Sequence, residues 1–338
     1  MGSLNRSLNI LITGASGCIG HYVVEHLLQH TPHHLYVLVR NPQKLKVTVA
    51  EPDRLHLLEG NLHNLSSLEP LLPQMDWGIL MATAWGDPTE TYNINVTQTV
   101  KLIEQLCQAN CQHVFYFSTA SILDRSNQLM PQAGELGTDY IRTKYECFKA
   151  LERSPFADRI TVFFPTLVFG GDADKPISHL SSGLPEILQW LWLIRFLRVD
   201  ASFHFLHAYD IAQVVGAELN RQQDAASVDP EPLRKVVLGN PALTVQEAIE
   251  QLCSARQLPI VFQVPLSFWL ANVIIWLFRI RVAAWDRFCL TYRHFTYQNP
   301  VNPRQFEQQP YAETIAELLK AEVAITGSDG LQSQAAEC

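Results

Sequence analysis

The chain has 338 residues, enough for one large domain or two coupled ones, and 47% of them are apolar, which excludes global disorder. The net charge of −8 argues against a nucleic-acid partner, which would call for a basic face. Seven cysteines (Cys18, Cys107, Cys111, Cys147, Cys253, Cys289 and Cys338) show no CxxC spacing, so reduced thiols, a cytoplasmic setting and no structural metal are expected.

The opening residues are short and polar and carry no signal-peptide pattern. Asn9–Thr13 reads as a buried strand, and "LITGASGCIG" then places Gly14, Gly17 and Gly20 three apart. A helical pattern follows. Strand, glycine loop and helix form the setting in which backbone can approach a pyrophosphate and a helix amino terminus can hold it. His30, His33 and His34, around Pro32, read as a surface turn. Leu35–Arg40 is a second strand. Arg40 stands at its carboxyl end, where the adenosine ribose of a bound dinucleotide lies. An acidic residue there would bond both ribose hydroxyls, whereas arginine suits a 2′-phosphate. Lys44 and Lys46 add positive charge, so NADP(H) is favoured over NAD(H).

Leu55–Leu62 reads as a third strand, Asn64–Leu72 as a helix and Trp77–Ala84 as a fourth strand. Asn95–Ala109 is amphipathic with a helical period. His113–Ser121 is a fifth strand, Asp139–Glu152 a helix with Thr138 and Asp139 as start signals, and Ile160–Gly170 a sixth strand. Apolar strands alternating with helices predict an α/β fold, a parallel, doubly wound Rossmann sheet covered on both faces. Residues 1–170 would form this domain, with 203–252 returning to it in part. Residues 171–202 and 253–325 would form a smaller, mostly helical substrate lobe over the carboxyl ends of the strands. Residues 326–338 have the composition of a disordered tail.

"DYIRTK" puts Tyr140 and Lys144 on one helical face. A free tyrosine, with a pKa of about 10, is a poor proton carrier at neutral pH. A fixed ammonium nearby is expected to stabilise the phenolate and lower that pKa, making the pair a proton donor and acceptor beside a hydride carrier. "YECFK" repeats the spacing at Tyr145 and Lys149, rotated by about 140°, so only one pair can face a cofactor. Tyr140–Lys144 is chosen because it lies in the first turn and Thr143 precedes its lysine. Thr119, ending strand five, offers a hydroxyl to a substrate oxygen; Ser118 and Ser121 are its rivals.

Together these segments resemble the extended short-chain dehydrogenase/reductase superfamily (the NAD(P)-dependent epimerase/dehydratase type) from about Asn9 to Leu252. "TGASGCIG" is similar to its TGxxGxxG, "FSTASIL" to the strand bearing its catalytic Ser/Thr, "YIRTK" to its YxxxK, and "FFPTLVFG" to its nicotinamide-side strand. The resemblance implies Thr119, Tyr140 and Lys144 as catalytic residues. It implies a cofactor held by Gly14, Ser16, Gly17, Cys18, Ile19 and Gly20 at the loop, and by Arg40 and Lys44 at the ribose. Asn61 and Leu62 would lie by the adenine, with Ala82, Thr83 and Ala84 after strand four. Tyr140, Lys144, Pro165, Thr166 and Val168 would lie by the nicotinamide. Three positions depart from the pattern. Asn61 replaces the usual acidic adenine contact, Phe164 a common arginine, and Phe203 the arginine that holds the diphosphate of nucleotide-sugar substrates.

Leu184–Val199 and Val264–Trp285 are rich in Trp and Leu with arginines near their ends. Both are short of a membrane span. They are read as core or homodimer contact, as the lining for an apolar substrate, or as peripheral membrane contact. The expected activity is an NADP(H)-dependent oxidoreductase acting on a carbonyl or secondary alcohol of a largely apolar small molecule. The alternatives are an epimerase or dehydratase with a tightly held cofactor, and a non-catalytic NADP-binding subunit or regulator.

Overall fold

The computed structural model describes residues 6–47, 51–224, 233–267, 269 and 282–326. Its first strands are β1 (Asn9–Thr13), β2 (His34–Val39), β3 (Leu55–Glu59), β4 (Trp77–Leu80), β5 (His113–Phe117) and β6 (Ile160–Pro165). Four short strands follow: β7 (Leu167–Phe169), β8 (Leu197–Arg198), β9 (Ser202–Phe203) and β10 (Phe205–His207). Then β11 (Arg234–Leu238) returns to the central sheet. That sheet is parallel throughout, in the order β11-β6-β5-β4-β1-β2-β3. The chain is a doubly wound Rossmann-type α/β protein. The strand order turns back between β1 and β4, and a crevice opens there at the carboxyl ends.

The inner strands are apolar because both faces of the sheet are covered there. On one face, Ile10, Ile12 and Phe163 pack against Val23 and Leu27 of α1 (Cys18–His30) and Val214 of α7 (Ala208–Asp224). On the other, Leu11, Tyr116 and Phe164 meet Leu102 and Leu106 of α3 (Thr99–Gln108) and Phe148 of α5 (Asp139–Glu152). Phe164 is therefore core, with its ring edge-on to Phe148. A third cluster joins Leu184 and Leu191 of α6 (His179–Ile194) to Ile249 of α8 (Val245–Ala255) and to Leu318.

Several local expectations are corrected. Residues 64–72 form 3₁₀ turns, not a helix, because Pro70 and Pro73 remove the donors a helix would use. The sixth strand is two: β6 ends at Pro165, and β7 leaves the sheet to pair with β10. The helix after β4 starts earlier, as α2 (Pro88–Tyr92), and reaches α3 through a π-helical stretch, Asn93–Gln98. His33 is buried rather than part of a surface turn, its Nδ1 accepting the Leu8 N–H at 3.2 Å. Residues 184–199 supply most of α6, then β8. Of residues 264–285, positions 268 and 270–281 lie outside the described residues, as does the tail from 327. Among the described residues no helix is long and apolar enough to cross a membrane, and no cysteine is in a disulfide.

Candidate active site

The glycine loop is built for close approach. Gly14 has φ +79°, and a Cβ there would lie 2.5 Å from the Ala82 nitrogen. A Cβ on Gly20 would lie 2.3 Å from the Gly14 carbonyl oxygen. Side chains are thus excluded at both positions by the chain's own backbone, which packs the loop closely against the end of β4 and the start of α1. Gly17 caps α1 with no side-chain acceptor, and helix amino termini present donors suited to an anion.

A cavity of about 520 Å³ runs from this loop across the carboxyl ends of β1, β2 and β4. Gly14, Ser16, Gly17, Arg40, Asn61, Leu62, Ala82, Thr83 and Ala84 all line it. Lys44 instead lines a neighbouring, more open hollow with Ser16, Lys46 and Lys175. Cys18, Ile19 and Gly20 open α1. Pro165 ends β6, Thr166 bonds the Leu238 carbonyl through both its N–H and its hydroxyl, and Val168 lies in β7. These six are outside the cavity lining.

Thr119, Tyr140 and Lys144 come together at the end of β5. The Thr119 side chain lies near enough to the Tyr140 hydroxyl to pull its pKa down, and the Thr119 hydroxyl itself bonds to Ser121 at 3.3 Å. Lys144 is buried; its ammonium donates to the Phe117 carbonyl at 2.7 Å and lies 5.9 Å from the Tyr140 ring centre. This corrects the expected electrostatics. Burial pushes Tyr140 up to about 12 against a smaller downward pull from Thr119, and burial pushes Lys144 down to about 8. Desolvation is the dominant influence on both groups. The rival pair is elsewhere: Tyr145 packs on Gly134 of α4 (Pro131–Leu136), and Lys149 sits over the Tyr145 ring at 5.2 Å. Of the rival hydroxyls, Ser118 is buried without a hydrogen-bond partner and Ser121 bonds to Thr119.

Sequence reasoning missed two residues. Asn95, fully buried in the π-helical stretch, accepts from the Ala84 N–H at 2.8 Å and from the Thr83 hydroxyl at 3.1 Å. It donates to the Ala84 carbonyl and to the Thr143 hydroxyl, both at 3.1 Å. Asn95 so ties the β4 loop to α5, and with it the cavity to the Tyr140 turn. An asparagine inside an apolar helical pattern was the available signal. Trp85 lines the cavity and stacks on Tyr140 with ring centres 3.8 Å apart and planes 13° from parallel. The cavity therefore borders Tyr140 through Trp85, while Thr119, Tyr140 and Lys144 themselves lie outside its lining.

The sequence matches the NAD dependent epimerase/dehydratase family over residues 10–228. Among curated proteins no sequence matches the chain. Solved structures match along nearly its whole length at low identity. One is gox2253, at 18% identity and a TM-score of 0.67, covering 95% of this chain and 98% of that one. The Bordetella bronchiseptica enzyme WbmG in complex with NAD and UDP matches at 16% and 0.63, covering 98% and 97%. DesIV, the dTDP-glucose 4,6-dehydratase from Streptomyces venezuelae, matches at 17% and 0.62, covering 95% and 98%.

Proposed function

Because the chain belongs to the NAD dependent epimerase/dehydratase family, an NAD(P)-dependent enzyme family of extended short-chain dehydrogenase/reductase type, we propose that it is an NADP(H)-dependent oxidoreductase for a carbonyl or secondary alcohol of a largely apolar small molecule. The observation that carries this reading is the gathering of Thr119, Tyr140 and Lys144 at the end of β5, next to a cavity lined by Gly14 and Gly17 at the amino terminus of α1. The cofactor, when bound, supplies or accepts the hydride. Gly14 and Gly17 would let backbone meet its phosphates, and Ala82 to Ala84 would flank its nicotinamide half. Tyr140, protonated at neutral pH, gives its proton to the substrate oxygen in reduction and is then reprotonated from water; in oxidation it first loses its proton to water, and the phenolate takes the proton of the substrate hydroxyl. Thr119 holds that oxygen, and Lys144 keeps positive charge close beneath the tyrosine.

The preference for NADP(H) rests on Arg40, which lines the cavity at the end of β2, with Lys44 and Lys46 around the adjoining hollow. A cation there would form charge-assisted bonds to a 2′-phosphate. The apolar substrate rests on Phe203, which is half-buried where a diphosphate-binding arginine would stand. A second reading, an epimerase or dehydratase that retains its cofactor, is favoured by relatives such as WbmG, described in complex with NAD and UDP. Turnover of an aryl ketone with added NADPH separates the two. Net loss of nicotinamide absorbance with the ketone supports the oxidoreductase, and conversion of a UDP-sugar offered in parallel, with no net cofactor oxidation, supports the second reading.

A further inference from the structure

More than half of the large apolar side chains exposed among the described residues lie in two stretches, 177–199 and 253–269. Hydrogen bonds join these stretches at the end of α6. The Val264 N–H donates to the Phe196 carbonyl at 2.8 Å, the Leu266 N–H to the Arg198 carbonyl at 2.9 Å, and the Arg195 guanidinium to the Pro259 carbonyl at 3.0 Å. The Phe196 and Phe262 rings stack with centres 4.9 Å apart. Trp190 is 51% exposed and Phe262 60%, and Trp192, Leu193 and Trp269 are exposed as well. Apolar surface left in water forgoes roughly 25 cal/mol for each Å² that burial would return.

Shape and charge together select what covers this face. Helix α6 is held by one narrow stripe, its buried residues being Ser181, Leu184 and Leu191. Ile187, Trp190 and Leu193 follow at helical spacing along one flank, and all three are exposed. Trp192 stands about 200° round the helix from Trp190, on the other flank. A ridge that is apolar on both flanks fits a flat protein face poorly, whereas a fluid phase covers it on every side. The charge is local. The two stretches carry Arg195, Arg198 and Arg256 against one acidic residue, Glu186, in a chain whose net charge is −8. Arg198 is exposed, and the Arg195 guanidinium lies over the Phe196 ring at 4.7 Å. Asp200, just beyond, faces Arg293 at 3.7 Å.

We infer that this face docks on a membrane surface that displays anionic headgroups. Trp190, Trp192, Leu193 and Phe262 enter the boundary between headgroups and acyl chains, and Arg198 stays among the phosphates. Tryptophan with arginine beside it is suited to that boundary, because the indole has an apolar body and a polar N–H, while the guanidinium meets phosphate directly. Contact of this kind lies in the interface and needs no spanning helix.

The test is sedimentation of the full chain, without detergent, with vesicles of phosphatidylcholine alone or of equal parts phosphatidylcholine and phosphatidylglycerol. The wild type should bind the mixed vesicles about tenfold or more tightly than the neutral ones, and high salt should remove that advantage. A double variant, Trp190→Ala with Trp192→Ala, should bind the mixed vesicles about tenfold or more weakly. Arg198→Gln should bind them about fivefold more weakly. Leu57→Ala, at an exposed position on the edge strand β3, should bind as the wild type does. Equal circular dichroism and thermal melting of the four proteins exclude unfolding as the cause. No binding to either vesicle, equal binding to both, or unaltered binding by the double variant would overturn the inference. So would a wild-type dimer in light scattering that the double variant converts to monomer, since a second copy of the chain would then cover the face.

Discussion

Helix α5 carries the same tyrosine–lysine spacing twice, and the two copies live in different surroundings. Tyr140 is half-buried between Thr119 and Trp85, with its lysine sealed beneath it. Tyr145 packs on Gly134, and its lysine leans over its own ring. Spacing alone does not distinguish them. The difference is what lies opposite: the carboxyl ends of β4 and β5 for the first, helix α4 for the second. A five-residue shift is a rotation of about 140°, so one helix turns one pair to the sheet crevice and the other to its neighbour. A motif of two residues acquires chemistry from its third and fourth neighbours.

The sharpest way to break the comparison is to remove a neighbour that only the first pair has. Thr119→Val keeps shape and deletes the hydroxyl. It should lower the chemical rate by about 10²–10³, the usual loss for one donor at a developing oxyanion. Single-turnover reduction in NADPH-loaded protein checks this, and a loss under threefold would leave Tyr140 without its partner. Burial of Lys144 comes next. Its folded-state pKa, about 8, lies below the unfolded value, so the folded state holds fewer protons between the two. The stability contributed by Lys144 is therefore full above about pH 10.4 and is lost as pH falls through about 8. Relative to Lys144→Met, wild-type unfolding free energy should rise between those values by about 3 kcal/mol or less. Urea titrations at both ends of the window measure it, and a flat difference would show that the ammonium is not desolvated. Smaller again is the cofactor effect. Arg40→Ala should weaken NADPH by about 1.5–3 kcal/mol, or about 10- to 150-fold, and leave NADH nearly unchanged. Equal calorimetric affinities of the intact protein for both cofactors would remove the NADP preference.

The parts legible in the sequence are those with a period or a strict steric demand. Apolar strands alternating with helices marked the sheet, and Gly14 and Gly20 sit where a Cβ cannot. Tyr140 was separable from Tyr145 by its place in the first turn, after the Thr138 cap, whose side chain accepts the Ile141 N–H. What was hidden depends on partners distant in sequence. Asn95 acts through Thr83, Ala84 and Thr143, and Trp85 through Tyr140, 55 residues on in the chain. A loop tryptophan carries no periodic signal. The direction of the Tyr140 and Lys144 shifts was also hidden, since desolvation is set by what surrounds the pair once folded. The 3₁₀ turns at 64–74 are a different case, because Pro70 and Pro73 were visible and argued against the helix.

The two tyrosines themselves give the most direct test. NADPH-loaded wild type, Tyr140→Phe and Tyr145→Phe would be mixed with the same aryl ketone, and the single-turnover rate followed by nicotinamide absorbance. The account predicts that Tyr140→Phe keeps NADPH affinity and loses about 10²–10⁴ in rate, while Tyr145→Phe stays within about twofold of wild type. A Tyr145→Phe loss as large as that of Tyr140→Phe, or a Tyr140→Phe enzyme as fast as wild type, would contradict it.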